Sequence, residues 1–193
     1  MKKLLALLLA LLLCASAALA EDGMFDYTVF EENEEIDFEI DHFDDEWTAG
    51  VALLSTIVDV PMVFGVTGTL DGGISMVALA ISEPCEEVKV QVDDTVYTFD
   101  TALQVILLDT SGVGLMLTPE TEPFFQTLAT AEEVNVRVTL DGEENGTDIT
   151  GSDLEKMQLV LAELFAQDVM NCYTEDGEAM WDAAGLIQTM TVD

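Results

Sequence analysis

The sequence predicts an α+β fold with an antiparallel β-sandwich or barrel-like core, one short helix and two C-terminal helices. Three observations favour it. Short Val- and Ile-rich runs alternate with Gly, Pro and Asp turns as far as residue 117. Helical spacing of apolar residues replaces this pattern near the C-terminus. Half of the 193 residues are hydrophobic, which is enough to build a sizeable core.

The first twenty residues have the layout of a secretory signal peptide. Lys2 and Lys3 precede an apolar run over residues 4–13, and Ala18 and Ala20 occupy the two small positions of an A-x-A cleavage site. We therefore expect cleavage after Ala20 and a secreted, periplasmic or cell-envelope protein, of bacterial type by its short Leu-rich signal. No basic stop-transfer cluster follows, so we expect no membrane span in the cleaved chain.

Residues 21–46 form an acidic N-terminal segment in which 13 of 26 residues are Asp or Glu and none is Lys or Arg. Apolar residues alternate over 25–29 and again over 36–40. This period of two predicts one or two strands, joined by a turn at residues 31–34. The alternative is a disordered acidic arm whose apolar residues merely interrupt the charge.

Residues 47–193 are expected to form a single globular domain that is β-rich to about residue 150 and helical after it. Asp71-Gly72 between two apolar runs is a strong hairpin signal. The composition of the runs and their turns predicts six consecutive strands, over residues 47–58, 62–70, 74–82, 86–93, 95–100 and 103–108.

The pattern becomes mixed after residue 117. Thr118 or Thr121 can cap a short helix that extends to Leu128, and a strand over 134–138 follows it. Ser152 and Glu155 then have the spacing of a capping box. The helix that they begin would bury an apolar face made of Leu154, Met157, Leu161, Leu164 and Phe165. A last helix is predicted over about residues 178–190.

The charge balance restricts the partners. The chain has 39 acidic residues, five basic ones and a formal net charge of −34. Signal cleavage leaves the same 39 acids against only Lys89, Arg137 and Lys156, a formal charge of −36. Such a chain repels nucleic acid and anionic membranes, so we expect no nucleic-acid partner. Cations, basic proteins and basic polymers are the expected partners.

Cysteine use is consistent with export. Cys14 leaves with the signal peptide, so Cys85 and Cys172 remain as a pair. An even pair in an exported protein indicates a disulfide. The alternative, two buried thiols, has equal support from the sequence.

Calcium is the one cofactor for which the sequence offers ligands, because calcium needs six to eight oxygen atoms. The weak candidates are Asp37, Glu39, Asp41, Asp44 and Asp45 in the acidic segment, and Asp141, Glu143 and Asn145 farther along. The second group follows the first half of an EF-hand loop, with Gly146 at position 6. Position 12 is Ser152 rather than Glu, and no helix precedes the loop, so an acidic hairpin loop is the better interpretation.

No catalytic residue can be assigned from the sequence. His42 is the single histidine, and there is neither a nucleophile elbow nor a phosphate-binding loop. We expect an exported, strongly acidic, non-catalytic binding or structural module of the extracellular space or cell envelope. One alternative is a small secreted carboxylate-dependent glycoside hydrolase, for which Trp47 and Trp181 could stack on sugars. Another is a calcium-stabilised extracellular domain.

Overall fold

The computed structural model describes residues 24–57, 59–81, 87–99, 103–107, 110–173 and 190–193. The predicted signal peptide, Cys85 and Trp181 lie outside these ranges. So do all but the last residue of the helix predicted over 178–190. That last residue, Met190, begins a short strand instead.

Two antiparallel sheets form the core, and the predicted α+β fold with a sandwich-like core is confirmed. The strands are β1 (Asp37–Asp41), β2 (Glu46–Ile57), β3 (Val60–Thr69), β4 (Ile74–Ala80), β5 (Glu87–Val92), β6 (Thr95–Phe99), β7 (Leu103–Leu107), β8 (Thr110–Met116), β9 (Val134–Leu140), β10 (Glu143–Ile149) and β11 (Met190–Val192). Sheet A has the order β1-β2-β3-β4-β8-β7, and sheet B has the order β10-β9-β5-β6-β11. The six strands predicted between residues 47 and 108 are all present, as β2 to β7, with bounds within two residues of those expected.

Aspartate makes several of the tight turns between these strands. Asp45, Asp59, Asp93 and Asp141 all have positive φ angles, between 51° and 63°. Aspartate tolerates this left-handed region better than most residues, because its short side chain can hydrogen-bond to the nearby backbone. Asp141 is followed by Gly142 at φ 80°, so this pair forms the two-residue turn of the β9–β10 hairpin.

Three segments differ from the sequence prediction. The alternation at residues 25–29 predicts a strand, but Tyr27–Phe30 forms a 3-10 helix. The Ser111-Gly112 pair has the composition of a turn, but it lies within β8, which pairs with both β4 and β7. β10 contains almost no apolar residue, and it forms because β9 supplies a full antiparallel partner across all seven of its residues. For β8 and β10, pairing with neighbouring strands outweighs local composition.

Both predicted helices that fall in the described ranges are present, as α1 (Glu122–Leu128) and α2 (Ser152–Phe165). The predicted capping box of α2 is wrong, and the predicted threonine cap of α1 is confirmed in position but makes no capping hydrogen bond. Thr121 stands at the N-cap of α1, but its hydroxyl donates to the Met116 carbonyl instead of capping the helix. Gly151, at φ 59°, occupies the N-cap of α2, so Ser152 is already helical and no capping box forms.

The helix α1 is wedged between the two sheets. Phe124 packs edge-on against Tyr97 and Phe99 of sheet B, with ring centroids 5.2 and 5.1 Å apart. The next residue, Phe125, contacts Phe64 of sheet A at 6.2 Å. Gln158 of α2 donates to the carbonyl of Leu128, the last residue of α1, and to that of Ala131 in the loop that follows. The two helices and both sheets therefore share one continuous core.

No helix within the described ranges is long and apolar enough to cross a membrane.

Candidate functional site

The most distinctive surface is the acidic edge, which we define as residues 31–46. It contains ten Asp and Glu residues, all exposed, together with His42. β1 is the edge strand of sheet A and pairs only with β2, from Asp37 opposite Gly50 to Asp41 opposite Glu46. The acidic segment is thus part of the same sheet as the rest of the chain.

The alternation in β1 explains how so acidic a strand is held. Asp37, Glu39 and Asp41 point to solvent, while Phe38 and Ile40 pack against the core. This is the period of two that the sequence predicts for residues 36–40. The carboxylates therefore share one outward face, and the apolar side chains attach the strand to the protein.

An aromatic cluster lies beneath the acidic edge. The Trp47 ring stacks with Phe25 at 5.8 Å and with Tyr27 at 5.4 Å, and it lies 6.0 Å from Phe30. Its indole N–H donates to the Thr69 carbonyl at 3.0 Å. Only 1% of Trp47 is exposed, so this ring is a core residue and offers no surface for a sugar.

The β1–β2 turn, residues 42–45, is the tip of the acidic edge. Asp41 accepts a hydrogen bond from the Phe43 N–H at 2.8 Å, and the Leu70 N–H donates to the Asp45 carbonyl at 2.9 Å. These bonds hold the turn from inside and from the neighbouring β3–β4 turn. Phe43 itself is 98% exposed.

The first group of calcium candidates lies on this edge. Asp37, Glu39 and Asp41 share a face, where successive Cα atoms are about 7 Å apart, and Asp44 and Asp45 lie in the tip. Among the residues that the structure describes, no three His, Cys, Asp or Glu side chains are grouped to hold a metal. Calcium binding here stays a prediction.

The second group lies on the β9–β10 hairpin. Asp141 is in the two-residue turn, Glu143 pairs with Leu140, and Asn145 pairs with Val138. The Asn145 amide donates to the carbonyl of Glu143. The structure places these residues along an extended hairpin rather than around one loop.

The three cations of the predicted mature chain lie elsewhere. Lys89 pairs with Glu87 at 2.8 Å, and Arg137 pairs with Glu144 at 3.2 Å. Glu87 also raises the pKa of Lys89, through its hydrogen bond and its charge. Within the described ranges these are the only two ion pairs, and neither includes a carboxylate of the acidic edge.

One carboxylate that the sequence did not single out is buried. Asp153, in the first turn of α2, is 3% exposed and accepts hydrogen bonds from the Ser55 N–H and hydroxyl, both at 2.7 Å. Burial raises the pKa of Asp153, but the hydrogen bonds from Ser55 and the backbone outweigh it, and the net shift is downward. Nothing local to the sequence signals this contact, because residues 55 and 153 meet only in the folded chain.

A cleft of about 380 Å³ lies between α1 and the residues that follow α2. It contains two carboxylates, Glu122 and Asp168. Gln126 donates to Glu122 at 2.7 Å, and Asn171 donates to Asp168 at 2.7 Å. The cleft is therefore lined by one carboxylate from each of its two sides.

Cys172 is buried, and its Sγ atom lies 3.2 Å from the Asp168 carbonyl oxygen. Burial, followed by the charge of Asp168, raises the pKa of this thiol. Its predicted partner, Cys85, is outside the described residues, so the disulfide stays a prediction.

Comparisons of the chain with protein-family models, with curated proteins and with solved structures found no match.

Proposed function

We propose that this chain is exported and works as a non-catalytic binding module, whose acidic edge recognises basic partners outside the cytoplasm. One observation carries the proposal. Ten exposed carboxylates lie together along one sheet edge, and none of the chain's described cations pairs with them. A surface of one sign attracts and orients partners of the opposite sign.

The support beneath this surface is also relevant. The aromatic cluster and the hydrogen-bonded tip hold the acidic edge in a defined shape. A preorganised surface loses less conformational entropy on binding than a flexible acidic tail does. The arrangement therefore suits recognition of a defined partner better than general solubility.

Two variants with the same net charge test the proposal. The edge variant carries Asp37→Asn, Glu39→Gln and Asp44→Asn, and the control carries Glu120→Gln, Glu132→Gln and Glu133→Gln at exposed sites away from the edge. Binding of a ten-residue lysine peptide is measured by calorimetry at low salt. We expect the edge variant to lose about ten-fold in affinity and the control about two-fold. Equal losses would mean that net charge alone attracts the peptide, and the acidic edge would not be a site.

The hydrolase alternative has a specific place in the structure, the cleft that contains Glu122 and Asp168. A glycosidase acid is normally buried, which keeps it protonated at neutral pH. Glu122 is half-buried and Asp168 is exposed, so the cleft supports this function less well than the acidic edge supports binding. If the protein hydrolysed aryl glycosides and Glu122→Gln lost this activity, the hydrolase function would be better supported than the binding function.

A further inference from the structure

Phe43 is exposed to an extent that no other described aromatic residue approaches. Phe25, Phe30, Phe64 and Phe99 are at most 2% exposed, whereas Phe43 is 98% exposed at the tip of the acidic edge. Burying a Phe side chain contributes roughly 1.5–3 kcal/mol. The fold obtains none of this from Phe43, so the side chain is available to a partner.

The charges around Phe43 decide which partner can use it. Four acidic residues lie within three positions of Phe43 in the sequence, and all four are exposed: Asp41, Asp44, Asp45 and Glu46. They repel an anionic lipid surface, so the ring is poorly placed to enter a bacterial-type membrane. They also repel a second copy of this chain, whose formal charge has the same sign.

The partner that suits both Phe43 and the surrounding carboxylates is a peptide segment with apolar and cationic side chains. An apolar stripe would cover the Phe43 ring, while flanking Lys or Arg side chains would reach the carboxylates and the face of the ring. A basic amphipathic helix offers this combination, because its lysines lie on either side of its apolar face. We infer that the hairpin tip, residues 41–46, docks basic amphipathic peptide segments, with Phe43 as the apolar anchor.

The tip is built to present that anchor. The Phe43 N–H is bonded to Asp41, and Asp45 is tied to Leu70, so the backbone on both sides of the ring is held before any partner arrives. An anchor side chain contributes most to affinity when its backbone is already ordered before the partner binds. The inference rests on the proposed function and adds to it the chemistry of the partner.

Two synthetic peptides of equal length and equal lysine content test it. One places leucines at helical spacing between the lysines, and the other replaces every leucine with serine. The chain from Glu21 is titrated with each peptide at low salt. We expect the Lys/Leu peptide to bind at least about five-fold more tightly than the Lys/Ser peptide. Phe43→Ser should reduce that ratio to about one.

Leu54→Ser is the matched control. Leu54 is 80% exposed, and it lies about 25 Å from the tip, near the other end of β2. This variant should keep the wild-type ratio. A ratio that survives Phe43→Ser, or that falls equally in Leu54→Ser, overturns the inference.

The other outcomes distinguish the role of Phe43 from the proposed recognition of basic partners. Equal binding of both peptides by the wild-type chain overturns the role of Phe43 and leaves recognition of basic partners in place. Binding of neither peptide overturns both. A further variant, Phe43→Trp, should shift its fluorescence emission to the blue with the Lys/Leu peptide only, and an unchanged spectrum would contradict docking at the tip.

Discussion

Two charged surfaces of this protein are organised in opposite ways. On the outer face of sheet B, Lys89 on β5 lies opposite Arg137 on β9, and each has its own glutamate, at 2.8 and 3.2 Å. We call this the mixed-charge face. Along the acidic edge, β1 presents carboxylates alone. Two of the three described cations, Lys89 and Arg137, are therefore paired with carboxylates on this face.

The difference shows what each surface requires from the fold. The mixed-charge face needs little support, because Glu87 and Glu144 offset the repulsion between Lys89 and Arg137, which lie opposite each other. The acidic edge repels itself, so the aromatic cluster around Trp47 must hold it in place. Charge on an edge strand also blocks the addition of a strand from another molecule, which is a benefit independent of any partner.

The largest expected effect comes from removing the Trp47 ring, which supports the acidic edge. Trp47→Ala should lower the free energy of unfolding by about 3–5 kcal/mol, because it empties the centre of the cluster. It should also remove hydrogen-exchange protection from β1 before sheet B is affected. Urea unfolding and amide exchange measure the two effects.

Phe43→Ala provides the control for Trp47→Ala, since it removes an aromatic ring from the same edge without touching the core. Its unfolding free energy should change by less than about 0.5 kcal/mol. If Trp47→Leu, a milder variant, leaves β1 fully protected, the cluster is not what holds the acidic edge.

An intermediate effect is expected at Asp153, a carboxylate stabilised by hydrogen bonds rather than by a paired cation. Asp153→Ala should cost about 2 kcal/mol at pH 7, because it leaves the Ser55 N–H without its acceptor and the Ser55 hydroxyl with only the longer bond to the Asp148 carbonyl. Glu155→Ala, in the same helical turn but exposed, should cost less than about 0.5 kcal/mol. Urea unfolding of the two variants gives the comparison.

The destabilisation caused by Asp153→Ala should depend on pH in one direction. Folding lowers the pKa of Asp153, so its contribution is present above the unfolded value of about 3.9 and is lost as the pH falls through the folded value. The difference between wild type and Asp153→Ala should be constant from pH 7 to pH 5 and shrink below about pH 4. A difference that grows on acidification would contradict the ionised, hydrogen-bonded state.

The smallest effects test the charge comparison directly. Glu39→Gln on the acidic edge should stabilise the protein by a few tenths of a kcal/mol at low salt, because it relieves repulsion. Glu144→Gln on the mixed-charge face should destabilise it by a similar amount, because it breaks the Arg137 pair. Salt at about 1 M should remove both effects. Shifts of the same sign would mean that the two surfaces do not differ as described.

The sequence was informative wherever the pattern was local. Val88, Val90 and Val92 alternate, and they form the buried face of β5 as expected. Asp71-Gly72 does close the β3–β4 hairpin, with Gly72 at φ 89°. β10 was missed, because its polar residues become a strand only when β9 lies beside them.

The candidate site was predicted in part. The acidic segment and the inward residues Phe38 and Ile40 follow from composition and period. The exposure of Phe43 does not, because a Phe in a sequence is expected to be buried and only the shape of the turn directs it to solvent. Asp153 and Ser55 are 98 residues apart, so their contact has no local signal.

The amino-acid sequence by itself determined the charge, the strand-forming runs, the hairpin turns and the apolar face of α2. These depend on side-chain chemistry and on spacings of two to four residues. The tertiary structure alone decided the order of strands in each sheet, that α1 packs against both sheets, that the acidic edge rests on aromatic rings, and that Phe43 remains exposed. These depend on contacts between residues distant in the chain, whose free energies appear only when the whole core forms.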